Sequence, residues 1–177
     1  MRLRAQGTWV LSFLLLILCT GSSLLGAEPD PSVQTMTAEE LEVFRLTNER
    51  RVVAGLPACK ACWPLVQAAR SHCREMMDLG FFDHISPTPG RRLPWDRVAL
   101  TGATTNRVAE NLYEAEDYPL STIPAQAISS WMRSVGHRHN ILEPANVNMG
   151  VGMCMRGSKV LVTQVFAGEL LNAAGNP

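Results

Sequence analysis

MGVGMCMRGSKVLVTQVF, residues 149–166, is the stretch on which the fold class turns. Met149–Met155 and Lys159–Phe166 are two runs of strand length, and Gly157-Ser158 between them is the small pair that a tight hairpin needs. Met149, Met153 and Met155 fall on one parity of the first run. That reads as inward packing, since no second cluster of soft ligands accompanies them to make a metal box.

Upstream the period changes from two to that of a helix. Thr37 and Glu40 stand at capping-box spacing, with Leu41, Phe44 and Asn48 at i, i+3 and i+7. Gly55 stops this helix, and Pro57 follows. The spacing predicts a second helix from Trp63 to Leu79, with Pro64 tolerated in its first turn and Gly80 ending it. Leu65, Ala69, His72 and Met76 share one of its faces. An irregular stretch, Phe81 to Gly90, leads to a short helix around Leu93 to Leu100. An extended segment follows from Arg107 to Ala115. A third helix is expected from Pro124 to Ser134, burying Ile128 and Trp131, then a tight turn at Gly136 and a helical turn through Leu142. Helices first and a closing strand pair give α+β rather than a parallel doubly wound sheet.

The N-terminus reads as an export signal. Arg2 and Arg4 precede an apolar run from Trp9 to Cys19, broken only by Ser12, and small and polar residues lead to Ala27. That is the order of a secretory signal peptide cleaved after Ala27, and the run is too short to span a bilayer. Cys19 invites a lipoprotein reading, but Leu18 stands where a small residue would be needed. The expected divisions are a signal peptide over 1–27, a flexible leader over 28–36, one domain over 37–170 and a tail over 171–177. Removing Arg2 and Arg4 with the signal takes 16 basic and 16 acidic residues to 14 and 16, a formal charge of −2. No basic block survives, so a nucleic-acid partner is not expected. No second hydrophobic segment follows, so no transmembrane span is expected after cleavage.

Four cysteines stay in the mature chain: Cys59, Cys62, Cys73 and Cys154. An even count in an exported chain favours disulfides. Cys73 lies about 16 Å up the second helix from Cys62 at 1.5 Å per residue, and a disulfide needs Cα atoms within about 7 Å. Only Cys59–Cys62 with Cys73–Cys154 then uses all four. Cys59-X-X-Cys62 also has the spacing of a redox motif or half a zinc site, although its Pro-flanked context is not a strand end.

The histidines differ in their surroundings. His72 lies on an apolar helical face and reads as a satisfied core residue. His84 lies just past a helix end, where a side chain can point into a cleft. Of His137 and His139, only one can face the same way, because each helical step turns a side chain by about 100°. Trp131 reads as core. Arg51 and Arg97 read as fold-supporting ion-pair partners, and Arg138 and Asn140 as residues that orient the turn through backbone hydrogen bonds.

Taken in order, several motifs resemble the CAP superfamily in its prokaryotic form. They are Asn48-X-X-Arg51…Gly55-Leu56-Pro57, Ala69-X-X-His72-X-X-X-Met76, Phe81-Phe82-Asp83-His84-X-Ser86-Pro87 and Ala109-Glu110-Asn111-Leu112. Trp131-Met132-X-Ser134-X-Gly136-His137-Arg138-X-Asn140, Gly150-Val151-Gly152 and Thr163-Gln164-Val165-Phe166-Ala167 continue the series. The resemblance spans residues 38–168 and implies a three-layer α-β-α sandwich around an antiparallel sheet with an open cleft. It implies cleft residues His84, Glu110, Ser134 and His137, with His84 and His137 as metal ligands for Zn2+ or another divalent cation. A second acid, common in the family, is replaced here by Ser134.

Two imidazoles and a carboxylate can supply the three protein ligands of a catalytic zinc site. Alternatively Glu110 fixes a histidine tautomer, or the set only ties loops together. The leading expectation is a secreted or periplasmic, non-enzymatic binding module for a small ligand, a lipid, a peptide or a cell-envelope component. The alternatives are a zinc-dependent peptidase or hydrolase, with Glu110 as candidate base, and a disulfide-stabilised extracellular structural domain. No HExxH is present, and Ser134 cannot act as a base at neutral pH.

Overall fold

The computed structural model describes residues 35–171. The expected signal peptide, most of the leader and all but the first residue of the tail lie outside the described residues.

Helix α1 (Ala38–Val53) starts at the expected capping box: Thr37 Oγ1 accepts from Glu40 N, and Glu40 Oε2 accepts from Thr37 N. Its buried positions are Glu40, Val43, Thr47 and Arg51, while Leu41 is exposed. The buried stripe is thus turned one position from the face expected at Leu41, because the buried carboxylate of Glu40 is itself a structural hub. Its oxygens accept from Arg70 Nε (2.9 Å) and from the backbone N–H of Met153 (3.0 Å). Arg51, expected to pair with an acid, instead donates to the carbonyls of Pro57, Ile141 and Glu143. The last two contacts satisfy C-terminal carbonyls of a distant helix, which need partners when buried.

Helix α2 (Trp63–Leu79) has the predicted bounds, with Gly80 in the left-handed region at φ 71° closing it. Helix α3 (Pro94–Ala99), strand β2 (Val108–Glu116) and helix α4 (Ile123–Arg133) follow as expected to within a residue or two. The tight turn placed at Gly136 is displaced. The break falls at Ser134, whose extended backbone (ψ 127°) separates α4 from helix α5 (Val135–Leu142), and Gly136 lies within α5.

Strands β3 (Asn148–Arg156) and β4 (Lys159–Ala167) form the predicted hairpin, with Gly157 at φ 60° in the turn. A strand not anticipated, β1 (Lys60–Ala61), pairs parallel with β3, giving the order β1-β3-β4-β2. The sheet is therefore antiparallel except for this short edge. Lys60 N–H donates to Val147 O and Cys62 N–H to Met149 O, so the link between α1 and α2 is laid along β3.

β4 is covered on both faces, which explains its unbroken apolar run. Val160, Val162 and Phe166 pack with Val43, Ile128 and Trp131 on the side of α1, α4 and α5. Leu161 packs with Cys73 and Met76, and Val165 and Ala167 with Leu65 and Ala69, on the side of α2. This is the three-layer α-β-α arrangement. On β3, Gly150 and Gly152 admit α2 so closely that an added Cβ would lie 2.2 Å from the Leu65 carbonyl carbon and 2.3 Å from Arg70 N. Of the three methionines expected to point inward, Met149 is buried and Met153 partly buried, but Met155 is 59% exposed. It lies near the hairpin turn, where the exposed Arg156 and Gly157 show the strand leaving its cover.

No disulfide is present among the described residues. The expected Cys59–Cys62 bridge fails on strand parity. Three residues apart across β1, the two side chains enter different cores: Cys59 joins Val43 and Trp131, and Cys62 joins Leu65 and Val165. Cys59 donates to Asn146 O at 3.1 Å, and burial pushes its thiol pKa up to about 11. Cys73 and Cys154 do lie side by side, with Cys154 Sγ 3.0 Å from Cys73 O.

Candidate functional site: a histidine–carboxylate cleft

The segment after α2 has no regular structure, so its side chains are released from the helical packing pattern. There His84 emerges, with its side chain 47% exposed. Its Nδ1 is 2.9 Å from Oε1 of Glu110, a β2 residue that is 5% exposed. The other carboxylate oxygen, Oε2, accepts from Arg97 Nη2 at 2.8 Å. Arg97 is itself buried and is held from α3 by the carbonyls of Arg91, Arg92 and His84. Its reading as an ion-pair partner holds, and the partner is Glu110.

These contacts settle the chemistry of the pair. A carboxylate only accepts, so His84 donates from Nδ1; in the neutral ring the lone pair is then at Nε2. Both oxygens of Glu110 are engaged.

His137 stands across the opening on α5. Its ring centre is 6.4 Å from that of His84, and the two planes are inclined at 52°. Burial holds its pKa below the usual histidine value, and the nearby His84 adds to the shift. His139 points elsewhere, 67% exposed and 3.5 Å from Glu143, as expected for a neighbour two helical steps away.

A buried amide network fixes α5 over the strand. Asn140 Nδ2 donates to Glu110 O (3.2 Å) and Asn111 Oδ1 (2.9 Å). Asn111 Nδ2 donates to His137 O (3.3 Å) and Gln164 Oε1 (3.1 Å). Gln164 Nε2 then reaches Thr47 Oγ1 on α1 at 2.7 Å. Sequence reading missed the roles of Asn111, Gln164 and Thr47. The available signal was a glutamine inside the apolar run of β4, because a buried amide must find partners.

Beneath the cleft, His72 is fully buried as expected of a core histidine, but only half satisfied: Nε2 is 3.0 Å from Asp83 O, while Nδ1 has no hydrogen-bond partner among the described residues. It also lies 3.9 Å from Glu110 Oε1, closer to the site than its spacing suggested. Burial lowers its pKa, outweighing the opposite pull of Glu110. Ser134 is partly buried at the α4–α5 junction. Its carbonyl accepts from Arg138 N–H, and its side chain makes no capping bond. The structure thus brings together His84, Glu110 and His137, while among the described residues no hydrogen bond joins Ser134 to them.

The residues fit a three-ligand metal centre poorly. No group of three or more His, Cys, Asp or Glu side chains among the described residues is arranged to hold an ion. Each Glu110 oxygen already accepts from His84 or Arg97. Two imidazoles sharing an ion at about 2.0–2.1 Å from each nitrogen can have ring centres at most about 6–6.5 Å apart. His84 and His137 stand at that limit.

Residues 44–166 match the cysteine-rich secretory protein family, also called CAP. The chain belongs to this family. The CAP match covers the cleft, the sheet and all the helices except the start of α1. Among curated relatives, YkwD of Bacillus subtilis is 34% identical over 135 residues, which are 76% of this chain and 49% of that protein. The membrane protein YlbC of Bacillus subtilis is 29% identical over 118 residues, 66% of this chain and 32% of its own. The chain therefore spans half or less of the curated relatives it matches. An extracellular SCP-domain protein from Bacillus anthracis superposes with a TM-score of 0.63 at 27% identity, covering 74% of this chain and 40% of that one. An outer surface protein of Borrelia burgdorferi has a TM-score of 0.61 at 14% identity, covering 76% and 96%, and shows the CAP fold alone.

Proposed function

We propose that the chain is an exported CAP module whose open cleft binds a divalent cation or a small polar ligand through His84 and His137. The observation that carries this reading is the commitment of Glu110. Its two oxygens hold His84 and Arg97, so it orients the His84 imidazole through Nδ1 and leaves Nε2 to a ligand. A bound cation would be held by the two imidazoles and would supply a positive charge to attract an anionic or carbonyl group of the ligand. Such a site is open and reversible. Hydrolysis is less well supported, because the cleft carboxylate Glu110 is buried and each of its oxygens already accepts from His84 or Arg97.

Export is supported by the basic and apolar start of the chain and by the extracellular nature of the Bacillus anthracis neighbour. Among the described residues no helix is long and apolar enough to cross a membrane. In an oxidising compartment, Cys73 and Cys154 are the pair placed to cross-link α2 to β3.

Calorimetric titration of the mature protein with Zn2+ tests the cleft. Binding should disappear in a His84→Ala/His137→Ala double variant that retains its helical circular dichroism. Unchanged affinity in that variant would move the site elsewhere. A peptide library incubated with the zinc-loaded protein should show no chelator-sensitive turnover.

A further inference from the structure

The inward face of α2 carries Leu65, Ala69, His72 and Met76, and its outward face carries a different chemistry. Trp63, Gln67, Arg70, Ser71 and Arg74 lie at helical offsets 0, 4, 7, 8 and 11, so they form one stripe. Opposite them stand Arg91 and the end of α3 with Leu100 and Thr101. Between the two lies a groove of about 470 Å³. Four of its lining residues are arginines (Arg70, Arg74, Arg91 and Arg97), and none is acidic.

A run of surface arginines is ordinarily a solvated face, but three features set this one apart. First, two of the guanidinium groups are already held. Arg70 is clamped by Glu40 behind it and lies 5.6 Å from the centre of the Trp63 ring. Arg91 donates to Ser71 Oγ, and its Nε is 3.2 Å from Glu75 Oε2. Groups fixed in advance lose little entropy on binding a ligand. Second, that Arg91–Glu75 pair lacks hydrogen-bond geometry, so Arg91 Nε is buried with an ion-pair contact but no hydrogen bond. Third, Arg74 forms no ion pair among the described residues. Asp78, one turn further along α2, is paired with Arg156 instead. The exposed cation of Arg74 therefore faces two anchored guanidinium groups, each paired with one carboxylate (Glu40 and Glu75); no acid lines this groove, while the adjoining hollow shared by Ser71, Arg74 and Arg91 also holds Glu75 and Asp78.

We propose that this groove is a second binding site, for a phosphate ester. Arg74 and Arg91, with the Ser71 hydroxyl between them, surround a tetrahedral oxyanion from more than one side. A carboxylate, with two oxygens in one plane, is served as well by a single guanidinium fork. The indole of Trp63 and the side chain of Leu100 offer an apolar wall for the organic part of the ester. The site lies on the outward side of α2 and uses neither His84 nor His137. A soluble phosphate ester and the headgroup of an anionic phospholipid present the same chemistry.

The test uses the mature protein with two probes. In the first arm, phenyl phosphate and benzoate are titrated by calorimetry. Phenyl phosphate should bind in preference to benzoate, and Arg74→Ala should weaken it by about tenfold or more, the loss of a charge-assisted contact. Arg74 is exposed on a helix, so its replacement should leave the fold intact, as circular dichroism will verify. The His84→Ala/His137→Ala variant should bind phenyl phosphate as the parent does. In the second arm, phosphatidylcholine vesicles with and without phosphatidic acid are sedimented with the protein. Arg74-dependent co-sedimentation only with phosphatidic acid would identify the lipid as the source of the ester, and binding in the first arm alone would identify a soluble one. Absence of binding in both arms, equal affinity for benzoate, or loss of binding in the histidine variant would each overturn the proposal.

Discussion

At Glu110 one buried carboxylate holds two cations or potential cations in different ways. It orients the imidazole of His84 and neutralises the guanidinium of Arg97, which is 2% exposed and has no other acidic partner described. Desolvating a charge is expensive unless it is paired, so the carboxylate and guanidinium stand or fall together. Glu110→Gln should therefore destabilise the fold by about 3 kcal/mol or more, since it leaves a buried arginine without its counter-charge. Urea denaturation of the variant and parent checks this, and a change below about 1 kcal/mol would show that the guanidinium is satisfied by its carbonyl contacts alone.

Between elements, the closest packing is that of α2 on β3. Gly150 and Gly152 have the extended backbone of a strand, so their role is one of space. With a Cβ 2.2 Å from the backbone of Leu65 and Val66, Gly150→Ala must push the helix off the sheet. Overpacking of this kind costs about 1–3 kcal/mol, and backbone cannot turn aside as a flexible side chain can. We expect a loss of about 3 kcal/mol in thermal or urea unfolding. The same two elements carry Cys73 and Cys154. On mild oxidation with a disulfide reagent, peptide mapping should find Cys73 joined to Cys154. Recovery of a Cys59–Cys62 peptide instead would contradict the separation of those two thiols into different cores. The bridge would close a loop of about 80 residues, worth about 4 kcal/mol if it forms without strain.

At the scale of the whole molecule, stability should fall on acidification. Burial lowers the pKa of His72 and His137, so the unfolded chain takes up protons on these side chains before the folded one does. Their contribution is complete above the unfolded histidine value of about 6.5 and is lost as pH falls from there towards the folded values. Glu75 acts in the same direction at lower pH. Burial opposes its ionisation, but hydrogen bonds from Thr88 and Ser86 and the charge of Arg91 prevail and lower its pKa. Its contribution is present above the unfolded carboxylate value and lost as pH falls through the folded one. Urea midpoints measured at pH 7.5, about 5.5 and about 4 should decline in steps, and His72→Gln should flatten the first of them. A midpoint independent of pH across this range would sink the assignment.

What the amino-acid sequence determined by itself is local. The capping box of Thr37 and Glu40, the span of α2 from Trp63 to Gly80 and the hairpin around Gly157 follow from interactions within a few residues along the chain, where spacing alone decides who can touch whom. The ordered motifs also marked His84, Glu110 and His137 as cleft residues, and helical geometry separated His137 from His139. Only the tertiary structure decided how these groups are used. His84 and Glu110 are 26 positions apart and Gln164 and Thr47 are 117 apart, so their meeting depends on how helices and sheet pack. The same packing turned the buried face of α1 from Leu41 to Val43 and sent Cys59 and Cys62 into different cores. It also drew Arg97 onto the second oxygen of Glu110. Periodicity specifies which residues share a face, but not what the face meets. The engagement of both Glu110 oxygens, one by His84 and one by Arg97, was therefore visible only once the layers were assembled.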